Sequence, residues 1–240
     1  MAANVETMFY VREKPWHGLG TCVEEAPTSA DALRLAGLDW EVKQRNIQVC
    51  GGAKIENFKA NVRSSDGAVL GVVSDRYQIV QNAEAFSFTD ELIGGDVRYE
   101  TAGSLQNGKK IWLLARMPVQ KIVGDDVEPY LCFSNTHDGS GSIRVCMTPI
   151  RVVCNNTLNL ALNSAVRSWS TKHVGDIDHK MQEARHTFCT RYCEVEKNIK
   201  AIQEIMGHAD IETTMNIYAE ATKEVKKQSF ANLEGKIKIS

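Results

Sequence analysis

The sequence is poor in the features that announce most activities. No apolar run approaches the roughly 20 residues that cross a bilayer, and no signal-peptide pattern stands at the N-terminus. The expectation is a cytoplasmic protein with no membrane partner. No G-x-x-x-x-G-K-[ST] occurs; the glycines at 51, 52, 94 and 95 form no phosphate-cradling loop. Seven cysteines (22, 50, 132, 146, 154, 189 and 193) are scattered without a C-x-x-C. An odd, dispersed set reads as reduced thiols and supplies neither a zinc site nor a disulfide frame. Cys189 and Cys193 are spaced for one helix face, as buried small side chains. His17 has no second His or Cys at ligand spacing, and His179 and His186 share a face without a third ligand. The expected cofactors are none, metal included. Excess charge is missing too: 28 Lys and Arg face 30 Asp and Glu, a formal net charge of −2. Nothing pulls the chain towards nucleic acid in bulk, so any DNA contact has to come from a local patch.

What is present is an ordinary globular composition, 43% hydrophobic and 24% charged over 240 residues, enough for one large or two modest domains. Thr28 or Ser29 can cap a short helix, Ala30 to Ala36, that Gly37 stops. From Trp40 onwards the texture is strands and tight turns. Val42 to Cys50 and Phe58 to Arg63 alternate, Asp66-Gly67 turns into Val69 to Val73, and Tyr77 to Val80 follows. Asn82 can cap a helix through Leu92 that ends at Gly94-Gly95. A second hairpin runs from Val97 to Ser104, turns at Asn107-Gly108 as type I′, and returns over Ile111 to Ala115. Strands at Tyr130 to Phe133 and Ile143 to Met147 precede a Leu- and Asn-rich helix. Hairpin-linked strands interrupted by helices imply an α+β fold: a mainly antiparallel twisted sheet with flanking helices on one face, then an all-α C-terminal segment. The expected domains are 1–176 and 177–240.

Three local features invite a functional reading. Trp16, in Pro15-Trp16-His17-Gly18-Leu19-Gly20, is read as a core anchor between turn-forming glycines. Lys109-Lys110 is read as the solvated shoulder of a turn. Arg167, Lys172 and His173 flank Trp169, which can either stack on a base or lie on the domain surface.

Four motifs then carry a resemblance. Pro-Trp-His-Gly-Leu-Gly (15–20), Gly-Leu-Asp-Trp-Glu-Val (37–42), Asp-Arg-Tyr-Gln-Ile-Val-Gln-Asn (75–82) and Arg-Val-Val-Cys-Asn-Asn-Thr-Leu (151–158) resemble, in this order, a phage- and plasmid-protein family of unknown function. That resemblance spans residues 8–184 and implies a mobile element. The strands-then-helix order is also similar to the β-β-β-α core of single-strand annealing proteins, at the level of fold alone. After Arg185, His186-Thr187-Phe188, Met206-Gly207-His208 and Thr213-Thr214-Met215-Asn216-Ile217-Tyr218 resemble the C-terminal end of a tyrosine recombinase (phage integrase) catalytic domain over residues 185–235. The seam between the two patterns lies inside one helix, Ile177 to about Cys193.

The second resemblance implies DNA as partner and DNA recombination or integration as the process. It makes Tyr218 the nucleophile on a phosphodiester, with Arg185 and His208 holding the non-bridging oxygens as charge builds on them. The family pattern also asks for a His three residues before the Arg, where Gln182 stands, and for an upstream Arg and Lys without counterparts here. Losing one such donor costs about 10²–10³ in rate. The expectation is a DNA-binding protein lacking catalytic competence. The alternatives are an active recombinase working through a phosphotyrosyl intermediate on Tyr218, and a structural or interaction protein without DNA.

Overall fold

The computed structural model describes residues 4–26, 28–93, 98–117, 120–122, 125–165 and 167–195, with scattered positions between 199 and 219. The strands are β1 (Val5–Val11), β2 (Thr21–Val23), β3 (Val42–Gln48), β4 (Lys54–Arg63), β5 (Val69–Ser74), β6 (Arg98–Leu105), β7 (Lys110–Arg116), β8 (Gln120–Ile122), β9 (Asp125–Val127), β10 (Tyr130–Thr136), β11 (Ile143–Thr148) and β12 (Arg167–Thr171). The helices are α1 (Ser29–Leu35), α2 (Asn82–Ile93), α3 (Asn155–Ser164) and α4 (Ile177–Val195). A seven-stranded sheet has the order β12-β11-β10-β7-β6-β1-β2, a three-stranded sheet the order β3-β4-β5, and β8 pairs with β9. Among the described strands only β1 and β2 run parallel. The fold is α+β and mostly antiparallel. The chain divides into two compact units, Met1–Thr89 with Val97–Ile177, and Asp90–Asp96 with Asp178–Ser240.

Register explains the large sheet's core. Phe9, Ala102, Leu113, Phe133, Val145 and Trp169 are cross-strand neighbours in one row. Tyr10, Thr101, Leu114, Cys132, Cys146 and Ser168 form the next. Successive residues of a strand point to opposite faces, so the two rows face opposite ways. Leu158 and Ala161 of α3 pack with Leu114, Cys132 and Cys146, while Phe88 of α2 meets Phe133 edge-on at 6.3 Å. Helices therefore cover both faces, correcting the expectation of one. The cause is legible in β10, whose Tyr130–Thr136 is buried at every position.

Local signals behave as their chemistry dictates. Thr28 Oγ1 accepts from Asp31 N at 3.1 Å, capping α1, and Gly37 follows the helix at φ +66°. Asn107 and Gly108 both take positive φ, as a type I′ turn requires. Tyr77 to Val80 forms no strand and makes a single bridge, Tyr77 to Val174. Trp16 is no core anchor: it is 72% exposed. Its neighbour His17 does the tying instead. Leu19 N–H donates to His17 Nδ1, so Nε2 carries the proton and donates to Val153 O at 2.8 Å.

The sequence motifs turn out to be staples between one another. Gln81 brackets Val42 with bonds to its N–H and C=O, both 2.9 Å, and Asn82 Nδ2 reaches Leu38 O and Trp40 O. The 75–82 motif thus holds the 37–42 motif, as the 15–20 motif holds 151–158. Thr157 Oγ1 accepts from Val153 N and Cys154 N, closing the start of α3. Helix α4 runs unbroken through Arg185. The helices expected over Ile199 to Met206, Ile211 to Ala221 and Lys223 to Leu233 lie outside the described residues, apart from isolated positions. Among the described residues no helix is long and apolar enough to cross a membrane.

Candidate nucleic-acid interface

Of the residues expected to act on a phosphate, Arg185 sits half-buried on α4, one turn after the exposed Gln182. His208 and Tyr218 lie outside the described residues. The described structure therefore brings no second member of the trio to Arg185.

A different surface has the make-up of a binding face. In the small sheet Lys43 pairs with Val62 and Val62 with Val69; Arg45 pairs with Ala60 and Ala60 with Val72; Phe58 pairs with Ser74. These rows share the outer face. Phe58 is 47%, Val72 57% and Val69 60% exposed. The opposite face is anchored to the large sheet's end: Asn61 Nδ2 donates to His137 O at 2.7 Å, and a Cβ on Gly71 would collide with the Asp138 backbone. Between the pairs Asn46–Lys59 and Ile47–Ile55 the register slips, leaving Glu56, Asn57 and Phe58 without β3 partners. Asn57 takes φ +64° in that bulge. Phe58 itself keeps the alternation of Ala60 and Val62 and faces outward with them, at the edge of the bulge.

The charges around this face are cationic on balance. Lys43 pairs with Glu41 at 3.2 Å, both well exposed, so solvent screens the pair. Arg45, Lys54 and Arg76 are exposed and make no ion pair among the described residues. Buried Arg63, on the inner face, is different: it bonds Glu6 and Asp66 at 2.9 and 2.7 Å and lies over Trp40 at 5.5 Å. Hydrogen bonds from that guanidinium, then from Ala68 N–H, hold the Asp66 carboxyl down at about 2.

Two buried polar clusters sit elsewhere in the same unit. Glu100 is the extra residue of a bulge between Tyr99 and Thr101. Its fully buried carboxylate meets Arg12, Arg116 and Arg151 at 3.0, 3.2 and 2.8 Å. Arg151 also donates to Val11 O and Glu13 O, and Arg12 to Glu128 and Tyr130. The guanidiniums are spent on internal partners, so this cluster closes the sheet end. The second cluster centres on His137, whose Nε2 faces Asn82 Oδ1 at 2.9 Å. Burial, then the neighbouring His173, pushes the His137 imidazole down to about 3. Tyr77 stacks on His173 at 4.5 Å and donates to Thr136 O at 2.6 Å. The ring nitrogens His137 Nδ1 and His173 Nε2, with Asn61 Oδ1, are buried without a hydrogen-bond partner among the described residues.

Trp169 is half-buried, in the row whose Phe133 meets α2, and Lys109 and Lys110 flank the 106–109 turn. Among the described residues no group of three His, Cys, Asp or Glu could hold a metal ion. Sequence reading missed the outer face of β3-β4-β5 because Phe58 looks like any apolar residue of an alternating strand. It missed the Glu100 cluster because its cations come from positions 12, 116 and 151, brought together only by pairing.

Comparison with known proteins bears on origin. The chain is 60% identical over 38 residues to the transposase from transposon Tn916 of Enterococcus faecalis, and to the transposases from transposon Tn1545 of Streptococcus agalactiae serotype V and Streptococcus pneumoniae. Each match covers 16% of this chain and 9% of the relative, so the chain spans about a tenth of the length of the curated relatives it matches. No solved structure matches. A family model described as "Domain of unknown function (DUF932)" matches residues 69–235, which is 167 of the 240 residues. It starts later than the 8–184 resemblance read from the motifs and extends past residue 185. Together these findings associate the chain with mobile elements. By a match over more than half its length, the chain belongs to the family described as Domain of unknown function (DUF932).

Proposed function

We propose that this is a DNA-binding protein of a mobile element, linked to DNA recombination or integration, which does not itself transfer strands. The carrying observation is the outer face of β3-β4-β5, where exposed Phe58, Val69 and Val72 share their rows with Lys43 and Arg45, the latter in no ion pair among the described residues. Cations there hold phosphates while the apolar surface meets bases or sugars. In this reading residues 1–176 form the DNA-binding part, and residues 177–240, which resemble a recombinase end, are an appendage to it. The test is fluorescence anisotropy of labelled DNA with the full chain. The wild type binds with an affinity that falls as salt rises, and Lys43→Glu with Arg45→Glu weakens binding strongly. Absence of binding at low salt would favour a structural or interaction role.

A second reading, strand transfer through Tyr218, is favoured by the transposase match and by the order Arg185, His208, Tyr218. It needs a clamped phosphate and a protonated leaving oxygen, and Gln182 supplies no charge where the pattern has a His. Nicked suicide substrates covering the element's ends separate the two. A covalent adduct that vanishes in Tyr218→Phe establishes the enzyme; no adduct is expected.

A further inference from the structure

We infer that the outer face of the three-stranded sheet takes single-stranded DNA in preference to duplex, with a base stacked on Phe58; this rests on the DNA-binding reading above. The apolar make-up of the face decides between the two. In a duplex the base faces are stacked away and phosphates line the outside, so Phe58, Val69 and Val72 would meet nothing they could bury against. An unpaired strand offers flat base surfaces that bury against an aromatic ring and β-branched neighbours.

Shape agrees with composition. A duplex is read in its major groove by an inserted helix or a two-stranded ribbon. The exposed rows here lie on a broad face: Lys43 and Arg45 on β3, Phe58, Ala60 and Val62 on β4, Val69 and Val72 on β5. With strands about 4.8 Å apart, three strands make a surface about 10 Å across. That holds roughly two or three stacked nucleotides, the number other sheet faces take. The cations fit the same occupant. Arg45 shares the Ala60–Val72 row, and Lys43 the Val62–Val69 row. A chain of net charge −2 lacks the extended basic footprint that duplex backbones reward, whereas a short strand needs few phosphate contacts.

A second copy of this chain is the competing occupant, since exposed valines on a sheet also serve self-association. The charged residues within its paired rows, Lys43 and Arg45, are both positive, so two copies placed face to face would bring like charges together. An acidic strand with flat apolar bases matches both properties at once.

The test compares a fluorescein-labelled oligothymidine with a duplex of equal length at one salt concentration, using the full chain. The single strand is expected to bind roughly tenfold more tightly or better. Phe58→Ala is expected to lower single-strand affinity by about tenfold, one stacked base's worth, and to leave duplex affinity unchanged. Phe58→Trp restores it. Because Phe58 is half exposed, an unchanged urea midpoint verifies that the variants fold. Equal affinity for the two forms, or a silent Phe58→Ala, overturns this inference. If Arg45→Glu still weakens binding in that case, the broader DNA reading survives. No binding of either form overturns both. Concentration-dependent dimers abolished by Val72→Glu would assign the face to a second copy and overturn the inference.

Discussion

The two sheets of the first unit both carry apolar side chains on their strands and end in opposite conditions. In the seven-stranded sheet β10 is buried along its whole length, and β7 is buried from Ile111 to Ala115. In the three-stranded sheet β4 is exposed from Lys54 to Phe58, and Val69 and Val72 of β5 face water. What differs is coverage. The large sheet has α3 on one face and α2 on the other, while the small sheet has one face seated on the 136–139 segment and one left open. An apolar side chain on a strand is thus structural or functional according to what lies above it. A contiguous exposed apolar face is the more informative of the two states.

The sharpest way to break the contrast is to strike the large sheet's buried charge. Glu100→Gln leaves three guanidiniums around a neutral amide, and losing one partner of a buried ionic cluster costs about 3–5 kcal/mol. A marked fall in the urea midpoint is expected, while Lys43→Gln, in a solvent-exposed pair of the small sheet, moves it by about 0.5 kcal/mol or less.

Packing gives a contrast of similar direction. Trp112 is fully buried, and its Nε1 bonds Thr101 Oγ1 at 3.2 Å. Trp112→Ala is expected to cost about 3–5 kcal/mol in urea unfolding. Val72→Thr on the open face is expected to stay within about 0.5 kcal/mol.

Acid tests the joint between the sheets. His137 is neutral in the folded chain down to about pH 3, whereas in the unfolded chain it takes up a proton near the ordinary imidazole value of about 6.5. Stability is therefore full above pH 6.5 and lost as pH falls towards 3, at about 1.4 kcal/mol per pH unit for that residue. His173, also lowered chiefly by burial, adds to the slope in the same direction. Urea midpoints at pH 7 and pH 5 check this; a flat profile would mean that both imidazoles are open to water in solution. The smallest effect is expected at Trp16: because its ring is 72% exposed, Trp16→Ala should shift the midpoint by about 0.5 kcal/mol or less.

Much of the fold was legible before any coordinates. Asn107-Gly108 announces a type I′ turn because few other residue pairs take two positive φ angles, and Thr28 announces α1 because its hydroxyl reaches the Asp31 N–H. The motif at 75–82 was legible as a motif but not as a staple. Gln81 and Asn82 act on main-chain atoms some 40 residues away, which leave no side-chain signature. Trp16 was misread for a related reason: a large aromatic beside glycines packs in most folds, and here the neighbouring His17 makes the tie to Val153.

By itself the sequence determined the alternation of its strands, the turns between them and the start of α1, because each depends on the covalent preferences of a few adjacent residues. It also carried the motifs from which family membership and a mobile-element origin could be read. Only the tertiary structure decided which faces are covered, that a bulge buries Glu100 among three arginines from distant positions, and that the face carrying Phe58 is left open. A period of two assigns residues to opposite faces of a strand. Whether a helix, a second sheet or water lies against either face depends on pairing order across the whole chain.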